Sequence, residues 1–189
     1  AKYWVEALTG LICQVEIASE WRYRTVAVAP NTLFLTISQS GETADTLAAL
    51  RQSKSLGYLG SLCICNVPNS SLVRESDLCL MTEAGTEIGV ASTKAFTTQL
   101  VALYQLATFM AEQRALTCLE QKNAMQQVPT GIQKSLQHPK HILRFAQIIA
   151  AKDHAYFIGR GALFPIAQEG ALKLKEISYI HAEAYAAGE

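Results

Sequence analysis

The 189-residue chain is half hydrophobic, which is enough for one large domain or two small ones with a buried core. Sixteen basic and sixteen acidic residues give a formal net charge of zero, so composition argues against a nucleic-acid partner. An anion would need a local site. Five cysteines without a CxxC pair argue against a disulfide framework or a zinc site and favour a reducing, cytoplasmic location.

Helix and strand signals alternate along the first part of the chain. In chain order they predict a helix at 1–10, strands at 13–18 and 32–37, a helix at 43–56, strands at 61–67 and 77–82, and a helix at about 93–113. The last helix is too mixed in composition to span a bilayer, so we expect no membrane partner. Cys63 and Cys65 should share one strand face as small buried hydrophobes.

A more polar stretch at 114–141, broken by two prolines, predicts a helical linker. A second strand–loop–helix follows it, with a helix at 142–151, a strand at 155–158, a loop at 159–161 and a helix at about 165–180. Strands with little polar alternation, separated by helices, predict an α/β three-layer sandwich with a doubly wound, flavodoxin-like parallel sheet. The expected divisions are 1–116, a linker at 117–141, and a truncated second domain at 142–189. The chain begins inside a predicted helix and stops without a closing element, which predicts a fragment of a longer protein.

The most informative motif is the polar loop at 38–43, between an apolar strand and a helix. Ligands of open parallel sheets bind at the carboxyl ends of strands, where a helix start also offers free N–H groups. Ser38, Ser40 and Thr43 add hydroxyl donors around Gly41, with Gln39 between the two serines. An ordinary capping loop is the alternative. Four polar side chains exceed what a cap needs, which favours phosphate binding.

A second polar cluster, at 85–93, follows another predicted strand and precedes the long helix. Ser92 or Thr93 could cap that helix, and the cluster could equally close a sugar pocket. The pattern alone leaves the two interpretations even.

Glu169, Lys173 and Glu176 share one face of the last predicted helix. A surface ion-pair ladder is the plain interpretation. However, Gly170 in mid-helix costs about 1 kcal/mol relative to alanine, which suggests close packing and a partly buried pair. A carboxylate there could move a proton between adjacent sugar carbons. None of the four histidines has a persuasive ligand spacing, so we predict no metal site.

Four stretches together resemble the isomerase part of the glucosamine-6-phosphate synthases, which is built from two sugar-isomerase (SIS) domains. They are 15–20, 38–47, 85–97 and 169–185. The resemblance covers nearly the whole chain. It implies conversion of fructose 6-phosphate and glutamine to glucosamine 6-phosphate in a homodimer, without metal or organic cofactor.

The resemblance also implies roles at matching positions. It implies phosphate binding by Ser38, Gln39, Ser40 and Thr43, sugar contacts by Val90 and Ser92, and proton transfer by Glu176 beside Lys173. It implies that an N-terminal glutaminase domain, a Cys-Gly-Thr-Ser loop, a ring-opening histidine and a Schiff-base lysine lie outside these residues. We therefore expect this stretch alone to be inactive. The alternatives are another SIS sugar-phosphate isomerase or deglycase, and a non-catalytic phosphosugar sensor.

Overall fold

A computed structural model describes residues 1–89 and 91–189, which form two parallel sheets flanked by helices. The elements are α1 Lys2–Thr9, α2 Ala18–Trp21, β1 Phe34–Ser38, α3 Ala44–Ser53, β2 Ser61–Cys65, α4 Ser71–Glu75, β3 Leu78–Met81, α5 Lys94–Gln113, α6 Leu119–Ser135, α7 Pro139–Ala150, β4 His154–Gly159, α8 Phe164–Ser178 and β5 His181–Ala186. The predicted α/β class with parallel strands is confirmed.

The first sheet has the strand order β1–β2–β3, with β2 in the centre and every residue of β2 buried. Cys63 and Cys65 point to one face and pack against leucines of α3 and α4. Ile64 points to the other face and packs against Ala102 and Leu103 of α5. Helices therefore cover both faces, and the expectation for the two cysteines is confirmed.

The second sheet contains β4 and β5, which pair in parallel and are connected by α8. A side chain at Gly170 of α8 would place its Cβ 2.9 Å from ring atoms of Phe157 on β4. The mid-helix glycine therefore allows α8 to lie close to the sheet, as its cost in helix propensity suggested. On the opposite face, Tyr156 and Ile158 are 64% and 70% exposed.

Helix α5 is 20 residues long and connects the segment that follows β3 to the linker. It packs against α1 and β2. Its Tyr104 makes an edge-to-face contact with Trp4 of α1, with ring centroids 5.1 Å apart. Within residues 1–89 and 91–189, no helix combines the length and the apolar character needed to cross a membrane.

One predicted strand is absent from the structure, and one observed strand was not predicted. Residues 13–18 do not form a strand: the segment 11–17 is irregular and α2 begins at Ala18. Alternation of apolar residues is not sufficient, because a strand needs a backbone partner and neither described sheet provides one here. Strand β5 was not predicted, because its alanine-rich sequence has weak strand propensity and its partner β4 is distant in sequence.

Candidate functional site

The loop at 38–43, called the hydroxyl loop below, joins β1 to α3 and is stabilised by its own serine side chains. Ser38 Oγ accepts the N–H of Gly41 at 3.0 Å, and Ser40 Oγ accepts the N–H of Glu42 at 3.2 Å. Ser38 Oγ also lies 3.3 Å from Thr43 Oγ1. Because each serine oxygen accepts from an amide, its own O–H remains a donor that can serve a bound oxyanion.

Gly41 of this loop is needed for a reason that sequence analysis missed. Its φ is +67°, and a Cβ there would lie 2.0 Å from Ser70 Oγ and 2.8 Å from Cys65 Sγ. Its carbonyl also accepts the N–H of Leu72 at 3.0 Å. The glycine therefore lets the loop pack against β2 and the start of α4, rather than serving ligand approach alone.

The acidic residues in and next to the hydroxyl loop are fixed by an ion pair and by a backbone N–H contact. Asp45, in the first turn of α3, pairs with Arg22 at 2.6 Å. The backbone N–H of Ser71 donates to Glu42 at 2.7 Å and holds the pKa of that carboxyl below its usual value. The loop itself contains no lysine or arginine, so an anion bound here would rely on hydroxyl and amide donors.

A cleft of about 560 Å³ opens at the carboxyl ends of β1, β2 and β3. It is lined by Gln39 of the hydroxyl loop, Asn66, Val67 and Pro68 after β2, and Met81, Glu83, Gly85, Thr86 and Glu87 at the end of β3 and after it. Parallel sheets bind ligands at this edge. Gln39 of the loop at 38–43 and residues 85–87 of the loop at 85–93 therefore line one cleft, whereas its described lining does not include Ser38, Ser40, Thr43 or Ser92.

Sequence analysis missed two residues that organise this cleft. Asn66 hydrogen-bonds through its side chain to the segment after β3, and Glu87 accepts the N–H groups of Thr93 and Ala95, both at 3.2 Å. Glu87 therefore caps α5, the role that sequence analysis offered to Ser92 or Thr93. The available signal for Asn66 was its position: a polar residue directly after a buried strand.

The predicted sugar-contacting residues lie on the segment that leads into α5. Ser92 has a left-handed φ of 44° and donates its backbone N–H to the carbonyl of Gly89 at 3.2 Å. Thr93 occupies the N-cap position without a side-chain capping bond. Val90 lies outside the described residues.

The predicted carboxylate–lysine group lies on α8 and is connected as expected. Lys173 Nζ is 2.9 Å from Glu176 Oε2 and 3.3 Å from Glu169 Oε1, and these side chains are 24–35% exposed. Burial alone would lower the pKa of Lys173, but the hydrogen bond to Glu176 and the charges of both glutamates outweigh it and raise that pKa. The group is partly buried, and Lys173 fixes the orientation of Glu176.

The structure does not bring this group and the hydroxyl loop into one cleft. The described residues that line the cleft all belong to the first sheet and its loops, whereas Glu176 lies beside the second sheet.

Comparison with known proteins decides the family. The model of the SIS domain matches residues 1–109 and 148–189, which is most of the chain. The chain belongs to the SIS domain family. The two matched stretches of this SIS chain contain the hydroxyl loop and α8, respectively.

Aminotransferases are among its relatives of known sequence. A glutamine–fructose-6-phosphate aminotransferase (isomerizing) of Escherichia coli K12 is 61% identical over 192 residues, and its counterpart in Yersinia pseudotuberculosis is 63% identical. Each match covers 100% of this SIS chain but 32% of the relative, so the chain spans about a third of the proteins that it matches.

Solved structures give the same fold. The C-terminal domain of glucosamine-fructose-6-phosphate aminotransferase from Francisella tularensis matches 100% of this SIS chain and 54% of its own, with 54% identity and a TM-score of 0.94. A glucosamine-6-phosphate deaminase from Thermotoga maritima matches 98% of the chain and 55% of its own, with 24% identity and a TM-score of 0.81. At that identity the deaminase shows the fold alone.

Proposed function

We propose that the chain forms the sugar-phosphate isomerase part of an enzyme that converts fructose 6-phosphate and glutamine into glucosamine 6-phosphate and glutamate. The observation that carries the proposal is the 61% identity with the Escherichia coli aminotransferase over the whole chain. A shared fold would not assign a reaction, because SIS-type folds host several. Identity at this level, with Gln39 of one polar loop and residues 85–87 of the other lining one cleft, supports this reaction over the alternatives.

In this proposal the hydroxyl loop binds the phosphate of the substrate through Ser38, Gln39, Ser40 and Thr43. The two serines donate hydroxyl protons, and the first turn of α3 adds N–H groups and the positive end of its dipole. The salt bridge from Arg22 offsets the charge of Asp45 in the same turn, which would otherwise repel the anion.

Val90 and Ser92 contact the sugar, and Glu176 transfers the proton. The segment from β3 to α5 borders the same cleft as Gln39, which supports sugar contacts beside a bound phosphate. After ammonia has formed the imine at C2, Glu176 takes a proton from C1 and returns it to C2. The imine nitrogen gains a proton and the O1 hydroxyl loses one, so that the ketose imine becomes a 2-amino aldose. Lys173 orients the Glu176 carboxylate. These steps need neither a metal nor an organic cofactor.

The complete protein, in this proposal, contains more than these residues. Residues 1–116 form a first SIS domain, 117–141 a helical linker and 142–189 the start of a second; the separate sheets and the lack of buried residues in α6 support this division. A glutaminase domain provides ammonia, and two copies form a homodimer. A cytoplasmic location agrees with five free cysteines.

Binding tests the phosphate assignment. Calorimetry with glucosamine 6-phosphate should show binding by the complete protein and a loss of at least about tenfold in affinity for the double variant Ser38→Ala/Ser40→Ala, since two hydrogen bonds to a charged group disappear. A matched control, Ser55→Ala, removes an exposed hydroxyl after α3 and should leave binding unchanged. Wild-type affinity in the double variant would refute the phosphate assignment.

Turnover separates the enzyme from a phosphosugar sensor. Glu176→Gln should lower kcat by about a hundredfold to ten-thousandfold while sugar-phosphate binding persists, because the amide cannot accept the proton. Glu183→Gln on β5 changes another exposed carboxylate near the same helix and should leave kcat unchanged. A sensor would respond to neither change.

A further inference from the structure

Asn66 lies directly after β2 and is 8% exposed. Its Nδ2 donates to the carbonyl of Gly85 at 2.8 Å, and its Oδ1 accepts the N–H of Ala84 at 2.8 Å and the hydroxyl of Thr82 at 3.1 Å. Both ends of the side-chain amide are therefore engaged by the segment that follows β3. A buried amide satisfied at both ends fixes its partners in one arrangement.

The backbone of the same residue contacts the hydroxyl loop. The N–H of Asn66 donates to the carbonyl of Gln39 at 3.3 Å, and both residues line the cleft. One residue thus connects the loop after β1 with the segment after β3. The connection to the hydroxyl loop uses main-chain atoms, whereas the connection to the β3 segment uses the side chain.

We propose that Asn66 is a positioning residue that holds the start of the β3–α5 segment, 82–93, at the distance from the hydroxyl loop that lets one sugar phosphate contact both. This inference rests on the proposed function. It assigns Asn66 no contact with the substrate. Because the side chain holds one loop and the backbone the other, a side-chain substitution should loosen sugar recognition and spare phosphate recognition.

The test uses Asn66→Asp in the complete protein. Aspartate keeps the size of the side chain and the oxygen that accepts from Ala84 and Thr82, but it places a second oxygen against the carbonyl of Gly85. Glucosamine 6-phosphate binding is measured by calorimetry and inorganic phosphate binding by phosphorus NMR titration. We expect the Kd for the sugar phosphate to rise about tenfold or more, and that for inorganic phosphate to stay within about twofold.

Two further variants keep the proposal open to refutation. Ile64→Val, two residues earlier on β2, is the matched control for lost packing. It should weaken the binding of neither glucosamine 6-phosphate nor inorganic phosphate. Thr82→Val removes one of the three side-chain bonds and should give a smaller shift of the same kind, about threefold, even where Asn66→Asp folds poorly.

The outcomes separate this proposal from the proposed function. Sugar-phosphate affinity that is unchanged in Asn66→Asp, or in Thr82→Val if the first variant does not fold, overturns the positioning role and leaves the function intact. If Asn66→Asp lowers the affinity for both ligands equally, and Ile64→Val does the same, the positioning role is also overturned, in favour of a purely structural role. A wild-type protein that does not bind glucosamine 6-phosphate overturns the proposed function and this inference together.

Discussion

The two sheets of the molecule are built from similar strand–loop–helix units but are packed differently. In the first sheet Ile64 of β2 is fully buried between helices that cover both faces. In the second sheet Ile158 of β4 is 70% exposed, because α8 covers only the opposite face. The first sheet therefore has a core on both of its faces, whereas in the second sheet only the side chains that face α8 are buried.

The loops that follow the first strand of each sheet differ in the same way. The hydroxyl loop after β1 contains Ser38 and Ser40, whose oxygens accept N–H groups of the loop and whose O–H groups can still donate. Arg160 directly follows β4, and its Nη2 donates to the carbonyl of Ala187 at 2.9 Å. At Gly159, the last residue of β4, a Cβ would lie 2.4 Å from the carbonyl oxygen of Leu163. In the first strand–helix turn the hydroxyls are the groups that we propose bind a ligand, whereas in the second the arginine is paired within the fold.

The largest contrast should come from truncating one aliphatic side chain at each sheet, a buried one at the first sheet and an exposed one at the second. Leu50 of α3 is fully buried against the first sheet, so Leu50→Ala should lower the free energy of unfolding by about 3 kcal/mol. Ile158→Ala in the second sheet should change it by less than about 0.5 kcal/mol. Hydrogen exchange of the complete protein, followed by mass spectrometry, measures the first change over β1–β3 and the second over β4–β5. Equal effects would mean that another part of the protein covers the second sheet.

That contrast indicates which features the sequence could predict. Strands β1 and β2 and helix α3 were predicted because their apolar residues follow one period and turn residues bound them. The hydroxyl loop was recognised because hydroxyl residues around Gly41 follow a strand. The close packing at Gly170 was predicted from its cost to the helix, and Phe157 explains it.

The features that were missed depend on contacts between distant segments. Strand β5 exists because β4 lies beside it, and residues 13–18 lack a described partner despite their alternating pattern. Asn66 acts through the hydroxyl of Thr82 and through backbone groups 18 and 19 residues away, and Glu87 acts through backbone groups 6 and 8 residues away. Such roles depend on the geometry of the loops, which cannot be read from the spacing of apolar residues in the sequence.

A second contrast concerns backbone conformation. Gly41→Ala should lower the free energy of unfolding by about 2 to 3 kcal/mol, because it combines a left-handed φ with overlap against Ser70. Gly10 has a similar φ of +70° but open space around it, so Gly10→Ala should cost only the conformational part, about 1 kcal/mol. Urea unfolding measures the difference between the two variants. A Gly10 variant as unstable as the Gly41 variant would show that packing against β2 is unimportant.

A third contrast uses pH. The hydroxyl and N–H of Ser61 donate to Asp77, both at 2.7 Å, and lower the pKa of that carboxyl. A lowered pKa contributes stability that is present above the usual carboxyl range and is lost as pH falls through the folded-state value. The urea midpoint of Asp77→Asn should therefore lie below that of the wild type at pH 7, and the two should converge below about pH 4. Glu183→Gln, on the second sheet, is the control that should leave the wild-type profile of the first sheet unchanged. A gap that is as wide at pH 3 as at pH 7 would contradict the assignment.

The smallest effect is expected in the connection between the sheets. Helix α6 has no buried residues among those described, and nothing lies within 4 Å of a Cβ placed at Gly131 in its interior. Gly131→Ala should therefore stabilise the helix by about 0.5 to 1 kcal/mol through propensity alone, with Gln133→Ala as the control for a change without glycine. Hydrogen exchange over α6 should slow by about threefold to fivefold if the helix opens locally, and the exchange of β1–β3 and β4–β5 should stay the same. Slower exchange in both sheets as well would show that α6 unfolds together with them and couples the two, whereas faster exchange in α6 would mean that the glycine serves a bend that alanine cannot adopt.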